Sequence, residues 1–391
     1  MEQKLFELLD QGYDEMVEIR RYLHQYPELS FEEEETPAYI AEYHRKLGHT
    51  VHTGVGGRGV TARLEGGKPG PVIALRADFD ALPIQEETGL SFASKHDGVM
   101  HACGHDGHTA EMLVLAKALN ELQDELSGTI LFIHQHAEEL APGGAAAMIE
   151  DGCLDDVDVI FGTHLWATVP YGVMQYKDGP MMAAADRFEI DIIGQGGHGA
   201  TPHLTKDAIV IGSQLVTTIQ QLVSRRIDPQ ESAVVSVGSF EAANAFNVIA
   251  DQARLVGTVR TFNNEVRDTI EQELNRMTKA ACDSAGAEAD FRYFRGYPAV
   301  ENHAREAEFL ASCAAEVPGV TETEYMKPQM TGEDFAYYLH HVKGSYFFTG
   351  AAHPDWETPY PHHHPKFDID ERAILLAAKI LGKAVIDYEP A

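Results

Sequence analysis

The stretch His101-Ala102-Cys103-Gly104-His105-Asp106-Gly107-His108 packs three histidines, a cysteine and an aspartate into eight residues, and a helical pattern follows at once. Cys103 and His105 stand two apart, so in an extended segment both side chains face the same way. A thiolate and an imidazole that converge suit a borderline-soft cation such as zinc, nickel or cobalt. The plain alternative is a buried structural cysteine among surface histidines, and three histidines around one cysteine argue against it. Other donors stand where strand-like runs end. Glu138 and Glu139 follow the run 129–133; two adjacent carboxylates do not readily share one role, so one suits a cation and its neighbour a proton. His164 follows the run 157–162, and Asp78 and Asp80 end the run 72–77. Strand C-terminal ends are where α/β sheets place their sites. His362, His363 and His364 precede Pro365 in a proline-rich loop ahead of the last helical pattern. Each alone could be a solvated face or a loop residue; together, at successive strand ends, they predict a metal centre.

The elements that must position these residues fall into two rhythms. A chain of 391 residues is long for one core, so two domains are expected. Helical spacing shows in Leu5, Leu8, Leu9, Met16, Ile19 and Leu23, and a second helix starts near Thr36-Pro37. Strand-like runs at 60–64 and 72–77, a helix at 109–122 with Asp106 placed to cap it, a strand at 129–133, a helix at 144–150 and a strand at 157–162 follow. This alternation predicts an α/β layer with a mainly parallel sheet. From Met181 the order becomes strand 187–193, helix 207–223, strands 233–240 and 254–262, helix 265–284 and strand 289–293, the β-α-β-β-α-β pattern of a ferredoxin-like unit. The α/β pattern then resumes. The expected division is a discontinuous catalytic domain at 1–180 and 296–391 with an inserted domain at 181–295. The acidic run 32–35 reads as a solvated surface feature.

Composition narrows the function. The formal net charge of −31 argues against nucleic-acid binding and against docking on anionic membranes. It leaves anionic substrates open, because a metal centre and a few arginines can invert the local field. The four cysteines, at 103, 153, 282 and 313, are dispersed and one lies in the histidine cluster, which points to a reducing compartment. No run approaches ~18 apolar residues and the N-terminal residues carry no apolar signal segment, so a cytoplasmic protein is expected.

On these residues the chain resembles the aminoacylase/carboxypeptidase group of co-catalytic metallohydrolases, in the amidohydrolase branch that includes N-acyl-amino-acid hydrolases, hippurate hydrolases and N-acetyl-diaminopimelate deacetylases. The likeness covers essentially the whole chain. It runs through His24-Gln25-Tyr26-Pro27-Glu28-Leu29-Ser30, Arg76-Ala77-Asp78-Phe79-Asp80, Cys103-Gly104-His105-Asp106 and Ala137-Glu138-Glu139. It continues in Gly197-His198-Gly199-Ala200, Asn247-Val248-Ile249, Gly257-Thr258-Val259-Arg260-Thr261 and Gly332-Glu333-Asp334-Phe335. The resemblance implies a mainly parallel catalytic domain with the insert as lid and dimerisation domain. It further implies that Cys103, His105, Glu139, His164 and His363 hold two divalent metal ions, which could be zinc, nickel, cobalt or manganese. His363 is chosen because it stands two residues before Pro365, with His362 and His364 as the alternatives. Glu138 takes the general-base role and Asp78 supports the metal shell. His198 steadies the developing oxyanion, reaching across a dimer interface in related enzymes, while Asn247 and Arg260 hold the substrate's α-carboxylate.

The reaction so implied is hydrolysis of the amide bond of an N-acyl amino acid or similar conjugate, with a metal-activated water and Glu138 moving the proton. A dipeptidase or carboxypeptidase using the same centre is the nearest alternative. A cysteine hydrolase with Cys103 as nucleophile would survive chelators, but Cys103 lacks the separate orienting context of such enzymes; a metal-storage protein would have no turnover, and Glu138 would have no role in it.

Overall fold

Parallel strands covered by helices on both faces must be apolar on both sides, and the long runs of the first and last thirds of the chain meet that demand. The computed structural model describes residues 1–390 and divides into two compact units. The larger comprises Met1–Met181, Val300–Pro328 and the chain from Asp334 onward. Its eight-stranded sheet has the order Thr50–Val55, Gly59–Glu65, Ser127–Gln135, Lys68–Asp78, Val159–Pro170, Lys343–Ala352, Val173–Tyr176, Glu322–Tyr325. The middle four strands are mutually parallel, and two of them, Ser127–Gln135 and Lys343–Ala352, are buried at every residue after the first.

The helix His105–Asn120 lies deepest. It is buried on all sides except at Lys117 and, partly, Asn120, which is why its apolar residues show no single stripe. Tyr13–Gln25 and Arg372–Asp387 pack on it, joining Leu9, Leu113, Leu115, Leu119, Ile374 and Leu381 to Leu75, Phe132 and Phe161 of the sheet. Gly382 permits the closest approach, since a Cβ there would stand 2.8 Å from Leu5 and 2.9 Å from Leu115. Asp106 does not cap this helix as its sequence position suggested. The helix starts at His105 after Gly104, whose φ of 94° is a left-handed conformation that glycine tolerates. Asp106 lies inside the first turn, with Oδ2 2.8 Å from His24 Nδ1 and 3.3 Å from Arg20 Nε.

The second unit comprises Met182–Ala299 with Gln329–Glu333. Its antiparallel sheet has the order Ala233–Glu241, Gln252–Thr261, Ala184–Ile193, Glu288–Arg295, as the β-α-β-β-α-β pattern requires. Asp207 and Asn263 cap its helices Ala208–Arg226 and Asn264–Ser284. Phe188, Ile190 and Ile192, two apart, meet Leu215, Ile219 and Leu274 in its core. Gln329–Glu333, expected in the catalytic domain, joins this unit because the Ala183 amide donates to the carbonyls of Gln329 and Thr331. No helix among the described residues is long and apolar enough to cross a membrane, and all four cysteines are buried and unpaired.

Three buried histidines of the larger unit form a chain whose tautomers follow from one end. His49 Nε2 lies 3.2 Å from Asn120 Oδ1 and therefore donates to it. The bare Nδ1 of His49 then accepts from His44 Nδ1 at 2.9 Å, and His44 Nε2 accepts from His134 Nε2 at 2.9 Å. His134 Nδ1, the end of the chain, makes no hydrogen bond among the described residues. Burial, with the neighbouring imidazoles, pushes His44 down to about 2, and burial takes His134 to about 3. Folded rings this hard to protonate contribute stability that is present above the ordinary histidine value and lost as the pH falls below it, where the unfolded chain binds protons first. Urea unfolding of the metal-stripped protein should therefore show stability declining as the pH falls from about 6.5 towards about 3. His44→Gln and His134→Gln should flatten that decline; an unchanged slope in both would refute a neutral chain.

Candidate metal centre

Donors of the larger unit come together where the central strands end. Lys68–Asp78 closes on Asp78, and the strand Ser127–Gln135 leads through His136 and Ala137 into Glu138 and Glu139. His164 does not follow a strand, as expected, but lies within Val159–Pro170. Pairing with Lys68–Asp78 stops at Gly162, while pairing with Lys343–Ala352 continues through His164 opposite Phe348. The apolar run thus ends where one neighbour leaves, not where the strand does.

Overlapping groups have donor atoms within 4.8 Å of one another: Cys103, His105 and His164; Asp78, His105 and His108; Cys103, Glu139 and His363; His105, Glu138 and Glu139. Cys103 and His105 do converge, although through the left-handed Gly104 and a helix start rather than an extended segment. Hydrogen bonds on the far side of each ring set its tautomer. His164 Nδ1 donates to the Leu165 carbonyl at 3.0 Å, which leaves the Nε2 lone pair 3.4 Å from Cys103 Sγ. His105 Nδ1 faces Asp80 Oδ1 at 3.2 Å, and its Nε2 is 3.9 Å from Glu139 Oε1. Burial and the nearby His108 and His362 hold His164 well below the usual imidazole range, in its neutral form.

The three histidines of the run make different contacts. His363 has φ 64° and its amide donates to the Ala102 carbonyl, which brings Nε2 to 3.2 Å from Glu139 Oε1. His362 instead donates from Nε2 to the Leu165 carbonyl at 3.0 Å, and His364 stacks on Tyr360. Asp78 meets His108 Nδ1 and Arg76 Nη1, each at 2.6 Å, but stays 3.7 Å from His105. Asp80 is the carboxylate closer to His105. The sequence marks Asp80 only as a strand-end carboxylate and His108 only as a member of the histidine cluster; in the structure His108 Nε2 accepts from the Leu165 amide. The two-residue spacing of Asp78 and Asp80 and the three-residue step from His105 to His108 were the available signals.

These residues fit divalent cations. His105 Nε2 and Glu139 Oε1 are buried without a hydrogen bond among the described residues, although both belong to groups that water would bind strongly. Burial, then Glu139 and Glu138, push the Cys103 thiol well above its usual range, so a thiolate here needs a positive partner. A set of thiol, imidazole and carboxylate donors with inward lone pairs is what such a cation takes.

The remaining expected site residues lie in the second unit. His198 and Val248 pair across a short ladder, and the Gly199 amide donates to the Asn247 carbonyl, so His198 and Asn247 are neighbours. His198 Nδ1 accepts from the Ala200 amide at 3.0 Å, which puts the hydrogen of the neutral ring on Nε2. Arg260 donates to Thr258 Oγ1 and to the Val259 carbonyl, neither of them an anion.

The sequence profile of peptidase family M20/M25/M40 matches residues 74–387, from the strand that ends at Asp78 to the final helix. The chain belongs to this family. A Bacillus subtilis protein that carries the provisional name of amidohydrolase is 57% identical over 99% of this chain and 98% of its own length. The N-acyl-L-amino acid amidohydrolase of Geobacillus stearothermophilus is 50% identical over 76% of this chain and 80% of its own. A crystal structure of a Bacillus subtilis protein, described as a dinuclear metal binding peptidase from the M20 family, superposes with a TM-score of 0.83 at 37% identity, covering 96% of this chain and 98% of the other.

For this M20/M25/M40 member, competition titration with a metallochromic dye separates donors from bystanders. Cys103→Ser, His105→Ala and His363→Ala should each weaken metal binding by more than the ~10–100-fold typical of outer-shell changes. His362→Ala and His364→Ala should stay within a few-fold of wild type, and equal losses across the run would mean that His363 is not the donor.

Proposed function

We propose that this protein hydrolyses the amide bond of N-acylated amino acids, using two divalent cations held by Cys103, His105, Glu139, His164 and His363. The observation that carries the reading is the grouping of Glu138 with His105 and Glu139, which sets a second buried carboxylate beside the donor set. When bound, the cations supply Lewis acidity to the amide carbonyl and acidify a water molecule. Glu138 accepts the proton of that water and delivers it to the leaving nitrogen, one group serving as base and then as acid. Asp80 and the Leu165 carbonyl orient His105 and His164 from behind. Zinc, nickel, cobalt and manganese all suit the mixed sulfur, nitrogen and oxygen set.

The second unit supplies the rest. His198, with its hydrogen on Nε2, donates to the oxygen that becomes negative in the transition state. Arg260 and Asn247 hold the α-carboxylate of the substrate. Burial draws the Arg260 guanidinium below its usual range, against a smaller opposing pull from Asp186, and a bound anion would offset that burial. The protein works as a homodimer in which His198 serves the partner's centre, in a reducing cytoplasm that suits four unpaired cysteines.

Turnover of N-acetyl and N-benzoyl amino acids, measured before and after chelation and metal restoration, tests the activity; turnover that survives full chelation would end the reading. Glu138→Gln should keep metal stoichiometry and lower kcat by ~10²–10⁴-fold. Loss of metal in step with activity would mean that Glu138 is a donor instead. Arg260→Ala should raise KM for substrates with a free α-carboxylate and leave their amides nearly unaffected; equal effects on both would remove it from the carboxylate site. Mixing inactive Glu138→Gln and His198→Ala proteins should restore part of the activity if His198 acts in the partner's centre, and no recovery would place it in its own.

A further inference from the structure

The acidic run 32–35 does not behave as a solvated surface throughout. Glu32, Glu34 and Glu35 are exposed, but Glu33 is 0% exposed. Its Oε1 accepts the backbone N–H of Ala137 at 2.9 Å, and its Oε2 makes no hydrogen bond among the described residues. A buried carboxyl that gains a single amide bond is a poor stabiliser, because its desolvation exceeds what one such bond returns. What it holds explains its presence. Ala137 is buried with φ 52°, the left-handed region that a residue with a Cβ adopts only under constraint. It is the last residue before Glu138 and Glu139.

Glu33 belongs to a brace with several members. Two residues on, the Glu139 amide donates to Asp80 Oδ2 at 3.0 Å. That same oxygen accepts from Ser30 Oγ at 2.7 Å, and the Ala81 amide donates to the Glu28 carbonyl at 2.8 Å. The segment 28–33 thus grips both the end of the strand Lys68–Asp78 and the turn after Ser127–Gln135. Its own shape is fixed by the Glu28 carboxylate, which accepts the amides of Glu34, Glu35 and Thr36 at the start of the helix Glu35–Lys46. The Phe31 ring stands edge-on to His136, 5.8 Å away, at the same turn.

We infer that Glu33 is a positioning residue for the carboxylate pair: by holding the Ala137 amide it keeps the chain in the left-handed turn that sends Glu138 and Glu139 to different tasks. The inference rests on the roles proposed above for those two residues. Gln at position 33 keeps an acceptor oxygen of the same reach, whereas Leu keeps the bulk and loses the acceptor. Glycine at position 137 adopts positive φ without a brace.

The experiment reads cobalt(II) affinity and the visible cobalt spectrum of each full-length variant, alongside kcat and KM. Glu33→Leu should weaken cobalt binding and lower kcat by ~10–100-fold, the range for residues behind a metal ligand, with KM within a few-fold and an altered cobalt spectrum. Glu33→Gln should restore all three to near wild type. Ala137→Gly combined with Glu33→Leu should recover part of the cobalt affinity, and it serves as the readable variant should Glu33→Leu alone be insoluble. Glu33→Gln as impaired as Glu33→Leu, or a Glu33→Leu protein with unchanged cobalt binding and kcat, would overturn the inference; so would a double variant with no better cobalt binding than expected from loss of the brace. Failure of the amidohydrolase reading itself would show separately, as an unmodified protein without turnover whose cobalt affinity still responds to Glu33→Leu and recovers in Glu33→Gln.

Discussion

The larger unit is organised by an excess of buried negative charge. Asp78, Asp80, Asp334 and Glu138 are all buried around the ends of the central strands, and ionised carboxylates removed from water are costly unless each is matched by a cation or by several donors. The protein settles part of this internally. Arg76, itself buried, bridges Asp78 at 2.6 Å and Asp334 at 2.9 Å, and Asp334 also accepts from Gln135 Nε2 and the Ala145 amide. The field of these carboxylates reaches further: Glu111, within the helix that begins at His105, is pushed well above the usual carboxyl range by burial and then by Asp78. Beside Glu139 the answering groups are imidazoles, His363 at 3.2 Å and His105 at 3.9 Å, which can exchange a proton for a divalent metal.

How legible this was depended on the range over which a residue's role is decided. The cysteine–histidine cluster, the glutamate pair and the histidine run could be read because donor chemistry is local. Their meeting point could be read because alternating strands and helices imply a parallel sheet with its loops at one end. The order of the second unit was legible for a similar reason: Phe188, Ile190 and Ile192 alternate as a half-buried strand must, and Asp207 and Asn263 mark helix starts.

Roles set by distant partners were not legible. Asp106 has the sequence address of a cap, yet Arg20 and His24 claim it. Glu33 sits in a run of four glutamates whose composition says surface, and the amide it accepts from, that of Ala137, lies 104 residues away. Which of three successive histidines faces Glu139 depends on one backbone angle at His363, and no periodicity encodes that. His164 was found by type but misplaced by element, since the strand runs on beside a partner that arrives almost two hundred residues later.

That late partner has a consequence for how the chain comes to be folded. Lys343–Ala352 is an interior strand, between Val159–Pro170 and Val173–Tyr176, and it is drawn from the final part of the sequence. A ribosome extends the chain from its N-terminus, so Val159–Pro170 must wait as an open sheet edge while the whole of Met182–Ala299 is made. Contacts so remote in sequence form slowly. An open edge of that kind invites pairing with other chains, and the interval ends only when Lys343–Ala352 emerges. His363, the last of the proposed donors, follows that strand by eleven residues beyond Ala352 and so is made after it. A nascent chain therefore holds an incomplete set of the proposed donors until residue 363 has been made.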